Sequence, residues 1–370
     1  MQKFSPMRLV PHLLAVFCLL TATLANLPAA AQKQALLRVG VAGLSHDHAH
    51  QVMSQFKKSL VEIVGIVERD HLLVERYKKT YDLPDSLFYN DLTTLIMNKK
   101  PDAVLAYNAI NEHLAVVEAC IPKGVPVMVE KPLATTMVDA DKIATLSRKH
   151  KVPVLTNYET TWYNSNQFVY SEVKNKGSIG AIRKMVAHDG HEGPKEIGCS
   201  AEFLNWLTDP VGNGGGASRD FGCYGANLMT WLMDGRAPIS VTATIKRIKP
   251  NVYPKVDDDA VIVLEYPDAI GIIEASWNWP YSIKDLEVFG VKGYLQAQDG
   301  NRVRQRSKDT YQQLNPPITK YTDNIQYLQA YLRGEVAPGV DLSSLENNLI
   351  VVKILDAATR SAASGQKVKL

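Results

Sequence analysis

Between residues 36 and 156 a short apolar run alternates, five times over, with a stretch of helical spacing. The runs are 36–42, 61–67, 103–107, 125–129 and 152–156. Between them, Val52, Met53, Phe56 and Leu60 share one helical face, as do Leu72, Leu73 and Tyr77. Leu92, Leu95 and Ile96 fit a short helix that Asn90 is placed to cap, and 112–123 and 136–150 (carrying Val138, Ile143, Ala144 and Leu146) read as further helices. Apolar runs this short, without polar alternation, suit strands buried on both faces. Strand–helix alternation sustained over some 120 residues predicts a doubly wound parallel sheet, a Rossmann-type fold covered by helices on both sides.

After Thr156 the texture changes. Gly177-Ser178-Ile179-Gly180 makes a turn into a strand at 181–188, and Asn213-Gly214-Gly215-Gly216 reads as a flexible loop ahead of 220–231, whose later half has helical spacing. Six strand-like stretches at 241–248, 260–266, 270–279, 286–290, 294–298 and 302–306, joined by short turns, predict a mainly antiparallel sheet. Arg302, Arg304 and Arg306 would share one face of an edge strand in contact with water. Two helices near 321–333 and 343–361 close the chain, the second with Ser343 and Glu346 as a capping box. The domains are therefore expected at 32–156 (Rossmann) and 157–370 (α+β).

Residues 1–31 form a segment of another kind. Lys3 and Arg8 precede an apolar run at 13–25, and Ala29-Ala30-Ala31 offers a small-residue cleavage site. That pattern predicts a Sec-type signal peptide and a periplasmic protein with no stable membrane insertion after cleavage. Its removal lowers the formal charge from +3 to +1. A balance so close to neutral implies neither nucleic acid nor an anionic membrane as partner. Cys120, Cys199 and Cys223 then remain; an odd number of thiols permits at most one disulfide, and a core without staples is the simpler reading.

Chemistry concentrates at the ends of the early strands. Glu130-Lys131-Pro132 closes the run 125–129, and Pro132 disfavours a helical Lys131. Ligands of open α/β sheets bind beyond the carboxyl ends of the strands, which puts the Lys131 ammonium at a substrate position. The first strand leads into Gly43-Leu44-Ser45-His46-Asp47-His48-Ala49-His50. Against the G-x-G-x-x-G dinucleotide pattern only Gly43 is kept; Ser45 is small enough for the second glycine's place, and His48 fits the third poorly. Glu68 ends the second strand where an acidic side chain would bond a ribose hydroxyl, favouring NAD, while Arg69 beside it leaves NADP open. His46 and His50 could share a helix face and hold a metal, but no carboxylate or thiolate is evidently placed to complete the site, so polar lining of a cofactor cleft is preferred. His188 and His191 pose the same choice, with substrate contact preferred.

Taken together, the chain from Leu36 onward resembles the Gfo/Idh/MocA oxidoreductases. The likeness rests on Glu130-Lys131-Pro132, on Gly177-x-x-Gly180, on the glycine-rich lead into Asp220-Phe221-Gly222, and on Ser344-Leu345-Glu346-Asn347. The resemblance implies a large open sheet in the second domain, used for substrate binding and for a homo-dimer or homo-tetramer. It implies Lys131 at the reacting carbon, and Tyr224 where many members have a catalytic histidine, as in the glucose–fructose oxidoreductase and dihydrodiol dehydrogenase subgroup. Tyr107 to His113 departs from the usual Thr-Pro-Asn-x-x-His; His113 matches, and Asn108 aligns less cleanly with the nicotinamide-contacting asparagine. Cofactor binding is expected at Gly43, Ser45, His46, Glu68, Arg69, Asn108, His113, Glu130 and Lys131. Substrate binding is expected at Asn157, Tyr163, His188, Asp220 and Tyr224, with no metal.

The expected activity is NAD(P)-dependent oxidation or reduction of a sugar, glycoside or cyclitol. Free tyrosine and lysine titrate near about 10 and 10.4. An ammonium beside the phenol would lower the one and desolvation the other, bringing both toward neutral pH for proton transfer. Two other readings use the same residues: a glycosidase or lyase that oxidises its sugar transiently, and a carbohydrate-binding sensor without turnover, which the eroded glycine loop suggests.

Overall fold

The structure, a computed structural model, describes residues 1–3, 35–337 and 339–370. The leader reading lies almost wholly outside the described residues.

Residues 37–157 build a six-stranded parallel sheet: β1 (Arg38–Ala42), β2 (Glu62–Val67), β3 (Phe88–Tyr89), β4 (Ala103–Ala106), β5 (Val127–Glu130) and β6 (Val154–Asn157). Their order, β3-β2-β1-β4-β5-β6, reverses direction at β1, so a crevice opens there at the carboxyl ends of β1 and β4. The intervening helices are α1 (Ala49–Lys57), α2 (His71–Tyr81), α3 (Leu92–Lys99), α4 (His113–Cys120) and α5 (Met137–His150). Strands β4, β5 and β6 are buried along their whole length, as apolar runs without alternation require. Several boundaries differ from the sequence reading. The cap of α3 is Asp91, whose carboxylate accepts from Thr94 N at 2.8 Å, and not Asn90. Helix α1 stops before Leu60, which is exposed, and Val138 faces solvent on α5. The two-residue β3 carries no pattern long enough to read.

The second sheet has nine strands: β7 (Ile182–Gly190), β8 (Ser240–Lys246), β9 (Asp259–Glu265), β10 (Ile270–Ser276), β11 (Ile283–Gly290), β12 (Tyr294–Ala297), β13 (Val303–Ser307), β14 (Thr310–Leu314) and β15 (Val368–Lys369). Their order is β14-β13-β12-β11-β7-β10-β9-β8-β15. All its pairings are antiparallel except β7 with β10. The reading missed β14 and β15. Because β14 covers β13, the strand with Arg304 and Arg306 is not an edge, and Arg302 precedes it, paired with Asp299. Both Arg304 and Arg306 lie over the Tyr311 ring.

The helices α6 (Asn164–Tyr170), α7 (Ala201–Leu207), α8 (Ala217–Asp220), α9 (Gly222–Leu232), α10 (Asn324–Leu332) and α11 (Leu345–Ser364) complete the fold. Every residue of α9 is buried, since a helix apolar nearly all round must be enclosed. It rests on β7 and β10, where Gly225 has no room for a Cβ between Ile273 and Ala187. The cap of α11 is Ser344, not Ser343, and it accepts from Asn347 N. The glycine loop before α8 is pinned rather than flexible. Asp257 accepts from Gly216 N and Ser218 N, and a Cβ on Gly216 would fall 1.7 Å from the Asp257 carbonyl oxygen. Cys120, Cys199 and Cys223 are all free thiols. Among the described residues no helix is long and apolar enough to cross a membrane.

Candidate active site

The crevice predicted from strand ends contains a cavity of about 330 Å³, with Gly43, Ser45, Glu68, Arg69, Asn108 and Glu112 in its wall. Gly43 sits at φ 79°, and a Cβ there would fall 2.6 Å from the Asn108 side chain. Glycine is therefore required on both counts. Glu68 organises the rim, accepting from Leu44 N at 2.7 Å, Arg69 N at 2.7 Å and Asp70 N at 2.8 Å. Asn108 Oδ1 is buried with no hydrogen-bond partner among the described residues, which suits a polar ligand in the crevice. A bare glycine backbone, an acidic strand end and an orphaned carboxamide fit the adenosine and phosphate parts of a dinucleotide.

The loop after Gly43 is held from the far side of the chain. Asp47 accepts from Ser200 Oγ at 2.5 Å and Ser200 N at 3.1 Å, and Trp206 Nε1 donates to the Ser45 carbonyl at 3.3 Å. Phe203 and Trp206 pack their rings on His46.

Lys131 lies at the end of β5, buried, beyond which the Lys131–Pro132 peptide is cis. Its ammonium donates to the Asp220 carboxylate and, at 3.2 Å, to the Asp220 carbonyl. Asp220 is committed on its other oxygen too, to Trp277 Nε1 at 3.0 Å. Burial opposes the charged form of Lys131, but Asp220 outweighs it and holds the lysine pKa above its ordinary value. For Asp220 burial likewise opposes charge, and Lys131 holds its pKa below the usual carboxylate range. Tyr224, in the first turn of α9, places its ring centroid 5.1 Å from Lys131 Nζ. Burial pushes the phenol well above its ordinary value. Both shifts run opposite to the sequence argument: lysine and tyrosine are each loaded with a proton, because Asp220 claims the ammonium and the phenol is enclosed.

Glu130, also buried, accepts from Asn157 Nδ2 at 2.7 Å and lies 3.0 Å from His48 Nδ1. Asn157 in turn accepts from Trp162 Nε1 at 3.1 Å. Burial opposes its charge, yet His48 and Asn157 keep the Glu130 carboxyl below the usual range. His113 holds the turn after Lys131 through the Leu133 carbonyl, 3.1 Å from Nδ1. Enclosure pushes its pKa down to about 4.

The histidine cluster differs from the one the sequence suggested. His46, His48 and Glu130 come together within 4.8 Å, so a carboxylate is present after all, whereas His50 stacks on Tyr77 elsewhere. Hydrogen bonding speaks against a metal at this cluster. His46 Nδ1 accepts from His48 N at 3.1 Å, so the neutral ring carries its proton on Nε2, which is then a donor and no ligand. Burial, and then His48 and Lys131, keep that ring neutral.

Register decides which side chains of β7 face α9. Side chains alternate across a strand, and α9 packs on the face of β7 that carries Ala187. His188 consequently points to the opposite face, where it pairs with Asp285 at 2.6 Å, so the structure does not bring it together with Lys131 and Tyr224 as the sequence reading grouped it. Asp189 and His191 lie on the α9 side, His191 with its ring edge-on to Phe221. Opposite Asp189 in the β7–β11 register stands Lys284, which binds Glu159 and lies 5.0 Å from the Tyr224 ring centroid. Tyr163 donates to Glu159 at 2.6 Å. Sequence reasoning missed Glu159, Asp189 and Lys284. Glu159 follows β6 by two residues, so the rule that ligands bind beyond strand ends could have reached it. Asp189 lay unremarked between the two histidines, and nothing local marks Lys284.

Two family models match: the oxidoreductase family with an NAD-binding Rossmann fold over residues 37–158, and the GFO/IDH/MocA C-terminal domain over 171–296, together more than half of the chain. Trans-1,2-dihydrobenzene-1,2-diol dehydrogenase of Bos taurus is 24% identical over 271 residues, 71% of this chain and 74% of that protein. Aldose-aldose oxidoreductase from Caulobacter crescentus superposes with a TM-score of 0.76 at 21% identity, covering 91% of this chain and 100% of that one. An inositol dehydrogenase homolog from Azotobacter vinelandii, solved with NAD+, gives 0.78 at 17% identity, covering 90% and 97%. The chain belongs to the Gfo/Idh/MocA family and is an NAD-dependent oxidoreductase.

Proposed function

We propose that the protein interconverts a carbinol and a carbonyl on a sugar, glycoside or cyclitol, with Lys131 and Tyr224 at the reacting carbon. The observation that carries this is the buried Lys131 ammonium at the strand end, fixed by Asp220 and lying by the Tyr224 ring. Gly43, Ser45, Glu68 and Asn108 would hold the dinucleotide, with Arg69 at the rim and His46, His113 and Glu130 shaping the loop and the turn around it. When bound, the nicotinamide supplies the hydride acceptor or donor. Lys131 stays cationic and orients the substrate oxygen, while the protonated Tyr224 gives its proton to a carbonyl oxygen in reduction. In the oxidising direction the phenol must first lose that proton to solvent or to its surroundings. Names of the relatives support the substrate class: a dihydrodiol, an aldose and an inositol all present adjacent carbinols.

Transient oxidation by a glycosidase or lyase is a second reading. The ties of Ser200 and Trp206 to the Gly43 loop favour it, because a nucleotide kept in place can be reduced and reoxidised within one turnover. Aryl glycosides separate the two: aglycone release without net change in nicotinamide absorbance indicates the second, and net NADH with a free sugar the first. Export to the periplasm is proposed from Lys3, Arg8 and the apolar run 13–25 alone, and cell fractionation tests it. A homo-dimer or homo-tetramer is proposed from the open nine-stranded sheet, to be checked by light scattering.

A further inference from the structure

Glu159, Asp189 and Lys284 form a cluster on the substrate side of the second sheet that the reaction chemistry above does not use. Lys284 is held by Glu159, itself bonded to the Tyr163 hydroxyl. An ammonium has three donors, and one partner leaves two for other acceptors. Across the β7–β11 register stands Asp189, fully enclosed, with neither carboxyl oxygen in a hydrogen bond among the described residues. Side chains directly opposite in an antiparallel pair have Cβ atoms about 5 Å apart, so the lysine head reaches either carboxyl by rotation of its stem. A buried polar group left unpaired is costly, which argues for an arrangement in which Lys284 or a ligand serves it.

Distance ties this cluster to the reacting end. The Lys131 and Lys284 ammonium groups are 5.1 Å and 5.0 Å from the same Tyr224 ring centroid, so they lie no more than about 10 Å apart. A ligand the size of one monosaccharide is therefore large enough to reach both. Charge points the same way: Lys131 is neutralised by Asp220 and Lys284 by Glu159, which leaves no unpaired cation in this pair of contacts for a phosphate or uronate. An adjacent donor and acceptor instead match two neighbouring hydroxyls, one accepting from Lys284 and one donating to Glu159.

We propose that Lys284 and Glu159 are specificity-determining residues that bind a vicinal diol of the substrate, with Asp189 taking the lysine's inward donor. This rests on the carbohydrate reading of the site. The test is calorimetric binding of aldohexoses and inositols to the NAD-loaded protein, followed by the monodeoxy derivatives of the tightest ligand. Lys284→Met and Glu159→Gln should each weaken the parent sugar tenfold or more while leaving NAD affinity unchanged, which also reports on folding. For one monodeoxy derivative, already weak with wild type, Lys284→Met should cost less than twofold, since the hydroxyl it served is gone. If both folded variants keep the wild-type affinity and the wild-type pattern across the deoxy series, the assignment is wrong and the carbohydrate reading stands. If wild type binds none of the sugars, the carbohydrate reading falls and takes the assignment with it.

Discussion

Asp220 keeps Lys131 charged, and in the proposed reaction that has a consequence in pH. With the Tyr224 phenol held protonated by burial, the site is loaded as an acid at neutral pH. Carbonyl reduction should therefore be fastest at neutral or lower pH. Carbinol oxidation should rise with pH, by about tenfold per unit while the phenol is mostly protonated. Rate profiles in both directions check this; an oxidation rate independent of pH between 6 and 9 would count against Tyr224 as the proton carrier. Gly43 is constrained by geometry rather than charge. Gly43→Ala places a methyl on Asn108 at a positive φ, so NAD affinity should fall at least tenfold, measured by fluorescence titration. Both residues were legible from the sequence because each owes its position to a strand end beside it. Asp220, 89 residues from Lys131, was legible only as a neighbour of Tyr224, and its use as the lysine's counter-ion depends on the tertiary fold that brings the end of α8 to Lys131.

Among the elements, α7 braces the loop that follows Gly43. Ser200 caps it, accepting from Phe203 N at 3.3 Å, and the same hydroxyl donates to Asp47 in the loop. Ser200→Ala removes the cap, worth roughly 1 kcal/mol, together with that tie. The variant should release NAD several-fold faster in a stopped-flow displacement experiment; an unchanged release rate would show that the tie does not govern retention. Most strands and most helix faces were readable from periodicity, since burial imposes it; the two-residue β3 and β15 and the solvent-facing β14 carry too little of it to read. Which face of β7 lies under α9 was not readable, because that depends on pairing with β10 and β11, and this is why His188 was chosen over Asp189. Caps slipped by one residue at α3 and α11, where two polar residues stand side by side and only backbone geometry chooses between them.

For the molecule as a whole, buried titratable groups set the acid limit of stability. His113 titrates near about 4 when folded, against an ordinary value of 6.5, because enclosure disfavours its charge. The unfolded chain then binds a proton that the folded one refuses, so stability is lost as pH falls from about 6.5 toward about 4, by up to about 3 kcal/mol. Asp220 and Glu130, with depressed pKa values, add their losses only below the ordinary carboxylate range. His113→Asn should show a smaller drop in Tm between pH 7 and pH 5 than wild type by thermal melting. The same enclosure that makes the molecule acid-sensitive creates the site, and the central claim is that Lys131 works at a hydride-transfer centre. Its most direct test is a single-turnover experiment: NAD-loaded wild type and Lys131→Met are mixed with the carbohydrate panel, and nicotinamide absorbance is followed. The account predicts reduction of bound NAD by at least one carbohydrate with wild type. For Lys131→Met it predicts a rate at least about 10²-fold lower, near 2.7 kcal/mol in the barrier, with NAD affinity retained. A folded Lys131→Met protein that reduces NAD at the wild-type rate would contradict it.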